Sequence, residues 1–271
     1  MVEAASPILL FDSGVGGLTV YDALRAVLPQ APVIYAADFA GLPYGTKTEA
    51  QVAARVAGLL GRMTERYQPR LACIACNTAS TIALGMVREV LEIPLVGTVP
   101  AIKPAALASK TGVIGLLGTQ GTIRQPYVDQ LEAEFVAGKT LLRHAAPGLV
   151  GEAEKKLRGQ PVDRAVLKDA LERLSDDDKG LWTDAVVLGC THFPLLKDEL
   201  EDVATFDLGW SPDVRFLDGA QGIARRIAHL LEGQSFAANG PNRFIVTGPL
   251  TGASGLEAAL AARGFGAVEA F

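Results

Sequence analysis

The chain has 271 residues, 49% of them hydrophobic and 20% charged, with a formal net charge of −5 at neutral pH. That is a globular balance, and an acidic excess without a Lys/Arg-rich block argues against nucleic acid or an anionic membrane as the partner. A short acidic start without a signal peptide's basic and apolar parts, no apolar run long enough to span a bilayer, and three cysteines that make no disulfide framework set the expectation of a cytoplasmic protein with reduced thiols.

Apolar runs of strand length alternate with helix-period segments throughout. Residues 8–11 read as a buried strand, followed by a glycine turn and a helix to about Leu28. Residues 33–37 form the next strand. Thr46 then opens a helix, with Glu49 at capping-box spacing, that runs to about Tyr67 and stops before Pro69. A strand at 71–75, a helix at 78–91 and a short strand at 95–97 complete the first series. The pattern restarts with a strand at 112–117, a helix from Gly121, a strand at 140–143, helices within 152–174 and a strand at 184–188. The tail adds a strand at 214–216, a helix through Leu231, a loop at 233–241, a strand at 243–246, and a last helix and strand. Such βα alternation predicts parallel sheets covered by helices. Two stretches correspond at a distance: Asp12 and Gly118 each end an apolar strand at a polar loop, and later in each half a strand ends in cysteine, at Cys76 and Cys190. The chain is therefore read as two related α/β lobes.

Cys76-Asn77-Thr78 and Cys190-Thr191-His192 each follow an apolar strand and precede a polar stretch and a helix. In parallel α/β sheets ligands bind beyond the carboxyl ends of the strands, where a helix N-terminus favours a thiolate. Cys73 has no counterpart in the other half and reads as a core residue. Zinc competes for the same atoms, through Cys73-x-x-Cys76 with Cys190-x-His192, but residues three apart on a strand face opposite sides. The loop Asp12-Ser13-Gly14-Val15-Gly16-Gly17, with Asp38 after the next strand, invites a dinucleotide reading. The fingerprint, however, needs glycine where Thr19 stands, and a turn with amides aimed at any anion fits better. Asp12 is either a helix cap or catalytic support. His192, one of three histidines, is singled out by its place two residues from Cys190.

The segments Phe11–Thr19, Pro43-Tyr44-Gly45, Cys76-Asn77-Thr78-Ala79, Gly189-Cys190-Thr191-His192-Phe193-Pro194 and the late Thr247-Gly248 together resemble the signature motifs of the bacterial glutamate racemase family, within the aspartate/glutamate racemases. The resemblance implies that Cys76 and Cys190 are the two acid/base groups, with Asp12 and His192 assisting one each. It implies further that Ser13, Pro43, Tyr44, Gly45, Asn77, Thr78, Thr119, Thr122 and Thr191 contact substrate. It also implies two doubly wound parallel-sheet lobes facing each other across a central cleft, the first of residues 1–98 plus 212–271 and the second of 99–211. No metal or other cofactor is expected; the partner is the substrate glutamate, the assembly a homodimer, and the role supply of D-glutamate for peptidoglycan. The sequence departs from the family pattern at 146–154, where Glu154 or Glu152 competes for the place of the family's glutamate, and at Asp218-Gly219. The competing readings are an aspartate racemase or other two-cysteine isomerase and, from another class, a nucleotide- or metal-binding α/β regulatory protein.

Overall fold

Short apolar runs that are buried on both faces become parallel strands, because crossover helices cover both sides of the sheet. The computed structural model describes residues 3–175, 179–237 and 241–271, which divide between two units, Met1–Thr98 with Ala220–Phe271, and Val99–Gly219. The first unit begins β1 (Ile8–Asp12), α1 (Leu18–Val27), β2 (Val33–Ala37), α2 (Glu49–Tyr67), β3 (Leu71–Ile74), α3 (Asn77–Val90) and β4 (Leu95–Gly97). The second unit holds α4 (Ile102–Ala108), β5 (Val113–Gly118), α5 (Gln120–Ile123), α6 (Pro126–Phe135), β6 (Thr140–Ala145), α7 (Gly148–Leu157), α8 (Arg164–Glu172), β7 (Ala185–Leu188), α9 (Lys197–Asp202) and β8 (Arg215–Leu217). The chain then returns to the first unit with α10 (Ala220–Leu230), β9 (Asn242–Val246), α11 (Glu257–Ala261) and β10 (Phe265–Ala270).

The first sheet has the order β10-β9-β2-β1-β3-β4 and the second β6-β5-β7-β8, and every pairing is parallel. The order β2-β1-β3-β4 thus recurs as β6-β5-β7-β8, which makes β1 equivalent to β5 and β3 to β7. In each sheet the winding direction reverses beside the first strand of the series, the switch point where α/β sheets open a crevice at their carboxyl ends.

Alternate residues of each strand feed different cores, as the two-residue period of a strand requires. Leu9, Phe11, Ile34, Ala36 and Ile74 pack with Val52, Val56, Leu60 and Met63 of α2. On the other face Tyr35 stacks on Phe244 with ring centroids 5.0 Å apart. In the second unit Leu117, Val186 and Leu188 join one cluster, while Ile114, Leu116, Ala185 and Val187 join another with α4. Each buried Leu, Ile or Phe stabilises its unit by about 1.5–3 kcal/mol.

Several local expectations shift. The capping box of α2 is Thr48 with Gln51, and Thr46 instead ends the tight 3-10 turn Tyr44–Thr46. Thr48 wins because its hydroxyl accepts the Gln51 N–H while the Gln51 side chain accepts the Thr48 N–H. Helix α4, which periodicity alone did not mark, buries Ile102, Ala105 and Ala106. The second unit runs to Gly219, past the position 211 expected from sequence, because β8 pairs with β7. The expected loop at 233–241 extends partly outside the described residues.

Candidate active site

In the first unit, the turn after β1 is organised by a buried carboxylate. Asp12 is inaccessible to solvent; its Oδ1 accepts the Ser13 N–H at 2.6 Å and its Oδ2 accepts the Gly17 N–H at 2.5 Å and the Tyr35 hydroxyl at 3.2 Å. Charge-assisted bonds of this kind hold the polar loop against the start of α1. Gly17 is required here, since a Cβ would lie 2.8 Å from the Ala75 Cβ and 2.9 Å from the Tyr35 hydroxyl oxygen. Ser13 Oγ lies 3.3 Å from Asp12 Oδ1 and 3.6 Å from Cys76 Sγ, so the carboxylate reaches the thiol through the serine.

Cys76 stands two residues beyond β3 and is the N-cap of α3, where its Sγ accepts the Ala79 N–H at 3.5 Å. The helix dipole and this donor both favour a thiolate. Asn77 and Thr78 are buried in the first turn behind it. Cys73 lies wholly within β3, and burial, followed by the Asp12 charge, pushes its thiol far above the ordinary range. It is a core residue. Among the described residues no group of three or more His, Cys, Asp or Glu side chains is placed to hold a metal ion.

The Pro43-Tyr44-Gly45 segment follows a cis Leu42–Pro43 bond. Tyr44, 2% exposed, packs in the same apolar cluster as Cys76 and donates its hydroxyl to Asp38 Oδ2 at 2.6 Å. Asp38 is fully buried and also accepts from Arg55 Nη2 at 2.6 Å, from Arg55 Nε and from Thr247 Oγ1. Burial alone would raise its carboxyl, but the bonds from Arg55, Thr247 and Tyr44 outweigh it and hold it below the usual carboxylate range. Burial, then the Asp38 charge, raises the Tyr44 hydroxyl well above the ordinary tyrosine range, so it is a donor. Sequence reasoning met Asp38 only as support for a dinucleotide reading of the Gly-rich loop, and Arg55 had no signal beyond its place on α2.

The second unit builds its half differently. Cys190 stands two residues beyond β7, but the next element is the short 3-10 turn Phe193–Leu196 rather than the α-helix expected from sequence. Its Sγ lies 3.9 Å from Nδ1 of the buried His192. His192 Nε2 in turn lies 3.3 Å from Glu154 Oε1, and Glu154 is gripped by the Arg158 guanidinium. Burial opposes the Glu154 charge, and the contacts to His192 and Arg158 overcome it, so this carboxyl sits below its usual range. Glu152 faces elsewhere, bonded to Lys155 Nζ at 2.8 Å and to the Asp163 N–H at 2.7 Å. Of the two glutamates that competed in the sequence, Glu154 is the one that meets His192. At the end of β5, Thr119 caps α5 by accepting the Thr122 N–H at 3.2 Å, and the two hydroxyls lie 3.0 Å apart. Thr191 is buried beside Cys190.

Each unit thus presents one thiol at the carboxyl end of an equivalent strand: Cys76 with Ser13, Asp12 and a helix N-terminus, Cys190 with His192 and Glu154. A thiol so supported is suited to taking or giving a proton. No helix among the described residues is long and apolar enough to cross a membrane.

The Asp/Glu/hydantoin racemase family model matches residues 19–227. A glutamate racemase of Sphingopyxis alaskensis is 61% identical over 233 residues, which span 86% of this chain and 85% of that protein. The crystal structure of Escherichia coli glutamate racemase in complex with L-glutamate and the activator UDP-MurNAc-Ala is similar with a TM-score of 0.89 and 40% identity, covering 98% of both chains. That of the Francisella tularensis glutamate racemase in complex with D-glutamate has a TM-score of 0.79 at 27% identity, over 99% of this chain and 98% of the other.

Proposed function

The chain belongs to the Asp/Glu/hydantoin racemase family, and from that premise we propose that it interconverts L- and D-glutamate with Cys76 and Cys190 as the two proton-transfer groups. One observation carries the assignment of the pair: each thiol stands two residues beyond equivalent strands, β3 and β7, of two sheets wound in the same order. Identity of 61% to a glutamate racemase supports glutamate over aspartate as substrate.

On this reading a thiolate takes the α-proton from one face of the amino acid while the second, neutral thiol delivers a proton to the opposite face. The next turnover in reverse begins with the roles exchanged. The carbon acid is far weaker than a thiol, so the charge that builds on the substrate carboxylate needs preorganised donors. Ser13, Asn77, Thr78, Thr119, Thr122 and Thr191 are the side chains assigned to that task, and Pro43, Tyr44 and Gly45 complete the substrate contacts. The mechanism uses no metal or other cofactor. D-glutamate formed in this way supplies peptidoglycan synthesis, and the three free cysteines fit a reducing, cytoplasmic setting.

Chiral analysis of the protein incubated separately with L-glutamate and L-aspartate tests the proposal. D-glutamate should form, and D-aspartate should form roughly 10- to 200-fold more slowly, the range one methylene allows. Aspartate turned over as fast as glutamate would overturn the substrate assignment, and no turnover of either would overturn the activity.

A further inference from the structure

Arg55 lies on the second turn of α2, outside the motif segments singled out in the sequence. We propose that Arg55 is a positioning residue: its guanidinium holds the Asp38 carboxylate, and the carboxylate in turn fixes Thr247 and Tyr44, the latter in the buried cluster that also holds Cys76. The inference rests on the racemase reading above, in which Tyr44 contacts the substrate.

Asp38 immediately follows β2 inside the first unit and is completely shielded from solvent. A buried carboxylate without compensation takes up a proton. Protonated, it would carry a donor where it now has only acceptors, and one of its present donors would have to turn away. Arg55 prevents this with a two-pronged grip, Nη2 on Oδ1 at 2.6 Å and Nε on Oδ2. Asp38 is then left with lone pairs for the Tyr44 hydroxyl at 2.6 Å and for Thr247 Oγ1. Thr247 extends the linkage by accepting the Ala40 N–H at 3.2 Å. Gly41 closes the cluster from beneath: a Cβ there would collide with the Asp38 carboxylate and the Arg55 guanidinium and come within 2.8 Å of the Tyr44 ring. The cluster therefore has one arrangement, and Tyr44 occupies the place that Asp38 leaves it.

The outer side of Arg55 is accessible. Its side chain is 33% exposed and lines a surface cavity of about 980 Å³ together with Lys47, Gln51, Arg62 and Thr247. Arg62 lies instead over the Phe271 ring, 5.3 Å from its centroid. A small cation can thus reach the space that Arg55→Ala would open, which makes chemical rescue a direct test.

The experiment compares Arg55→Ala, Arg55→Lys and Arg62→Ala in both reaction directions. Arg55→Ala should raise KM for both enantiomers about tenfold while kcat stays within about threefold, the split expected when substrate contacts are misplaced. A purely structural role would lower the amount of folded enzyme, and so the apparent kcat, with KM unchanged. Millimolar guanidinium chloride should recover much of the lost affinity, and sodium chloride at equal concentration should not. Arg55→Lys, which keeps the charge but loses the fork, should fall between, and Arg62→Ala should behave as the parent. A readout without substrate accompanies the kinetics: the ¹³C-labelled tyrosine signal that Tyr44→Phe removes should move in Arg55→Ala and return with guanidinium. An unmoved Tyr44 signal, or a parental KM in folded Arg55→Ala, overturns the proposal. If the parent protein does not racemise glutamate, the substrate assignment fails by itself, and the tyrosine signal still decides whether Arg55 positions Tyr44. If Arg55→Ala does not fold, the same two readouts in Arg55→Lys decide.

Discussion

Glu152 and Glu154 show how much depends on which way one side chain points. Both lie on α7, and residues two apart on a helix face opposite ways. Glu154 meets His192 Nε2, whereas Glu152 binds Lys155 and the start of α8. A carboxylate on one imidazole nitrogen orients the ring and stabilises its charged form, and the other nitrogen here faces Cys190. Glu154→Gln should therefore alter the two maximal rates unequally, because it touches the support of one thiol only. Asp12→Asn, on the side of the other thiol, should bias them in the opposite sense. The ratio of specificity constants must stay at the equilibrium constant near one, so the asymmetry appears in kcat and KM together. Glu152→Gln should leave both rates within about twofold of the parent. Steady-state kinetics from each enantiomer check this, and equal losses in the two directions for Glu154→Gln would remove its assignment to a single thiol.

At the scale of elements, the start of α2 and the end of β2 are each held by a specific device. Thr48 caps α2, and Thr48→Ala should cost about 1 kcal/mol, whereas Thr46→Ala, outside the box, should cost less than about 0.5 kcal/mol. Urea unfolding of the two variants reads the difference, and a larger loss at Thr46 would return the cap to the position expected from sequence. Asp38 joins the end of β2 to α2 through Arg55 and to the end of β9 through Thr247. Its carboxyl is held below the usual range, against about 3.9 in an unfolded chain. The stability it supplies is accordingly complete above about pH 4 to 5 and is lost as the pH falls through its depressed folded value. The gap in thermal midpoint between the parent and Asp38→Asn should be widest near neutrality and shrink as the solution is acidified below about pH 4. A gap that widens on acidification would contradict the charged, gripped carboxylate.

For the whole molecule, the proposed function rests on one thiol carried by each unit. In D₂O the thiol that protonates the product has already exchanged with solvent, while the thiolate carries the proton taken from the substrate. Product should then contain solvent deuterium from its first appearance, and remaining substrate should stay largely protiated. Cys76→Ala and Cys190→Ala should each abolish racemisation yet retain α-proton exchange on opposite enantiomers, because each keeps the base of one side. Proton NMR of the α-position, enantiomer by enantiomer, measures both. Exchange of the same enantiomer by both variants, or a Cys73→Ala variant as damaged as either, would sink the pair. On the proposed reading, the duplicated strand order gives the division of labour a physical basis. The two enantiomers have equal free energy, and two similar units supply similar bases at equivalent strand ends. Their supports are not copies: one thiol sits on a helix N-terminus, the other against a histidine–glutamate pair.

The strands, their parallel arrangement in two α/β series and the two cysteines at strand ends were legible in the sequence, because apolar periodicity and backbone turn chemistry are local and survive in any window of about ten residues. The motif segments marked Asp12, Ser13, Tyr44, Cys76, Cys190 and His192 as candidates for the same reason: each candidate side chain travels with the loop that holds it. Other features depended on partners distant along the chain. Thr247 meets Asp38 across 209 positions, Glu154 meets His192 across 38, and β8 joins the second unit by pairing with β7. The 3-10 turn after Cys190, where an α-helix was expected, is likewise set by the packing of Phe193 and Leu196 into the second unit's core. Local preference proposes a strand or a cap, but a buried charge is settled by whichever donors the finished fold brings to it, and only the tertiary structure assembles those donors.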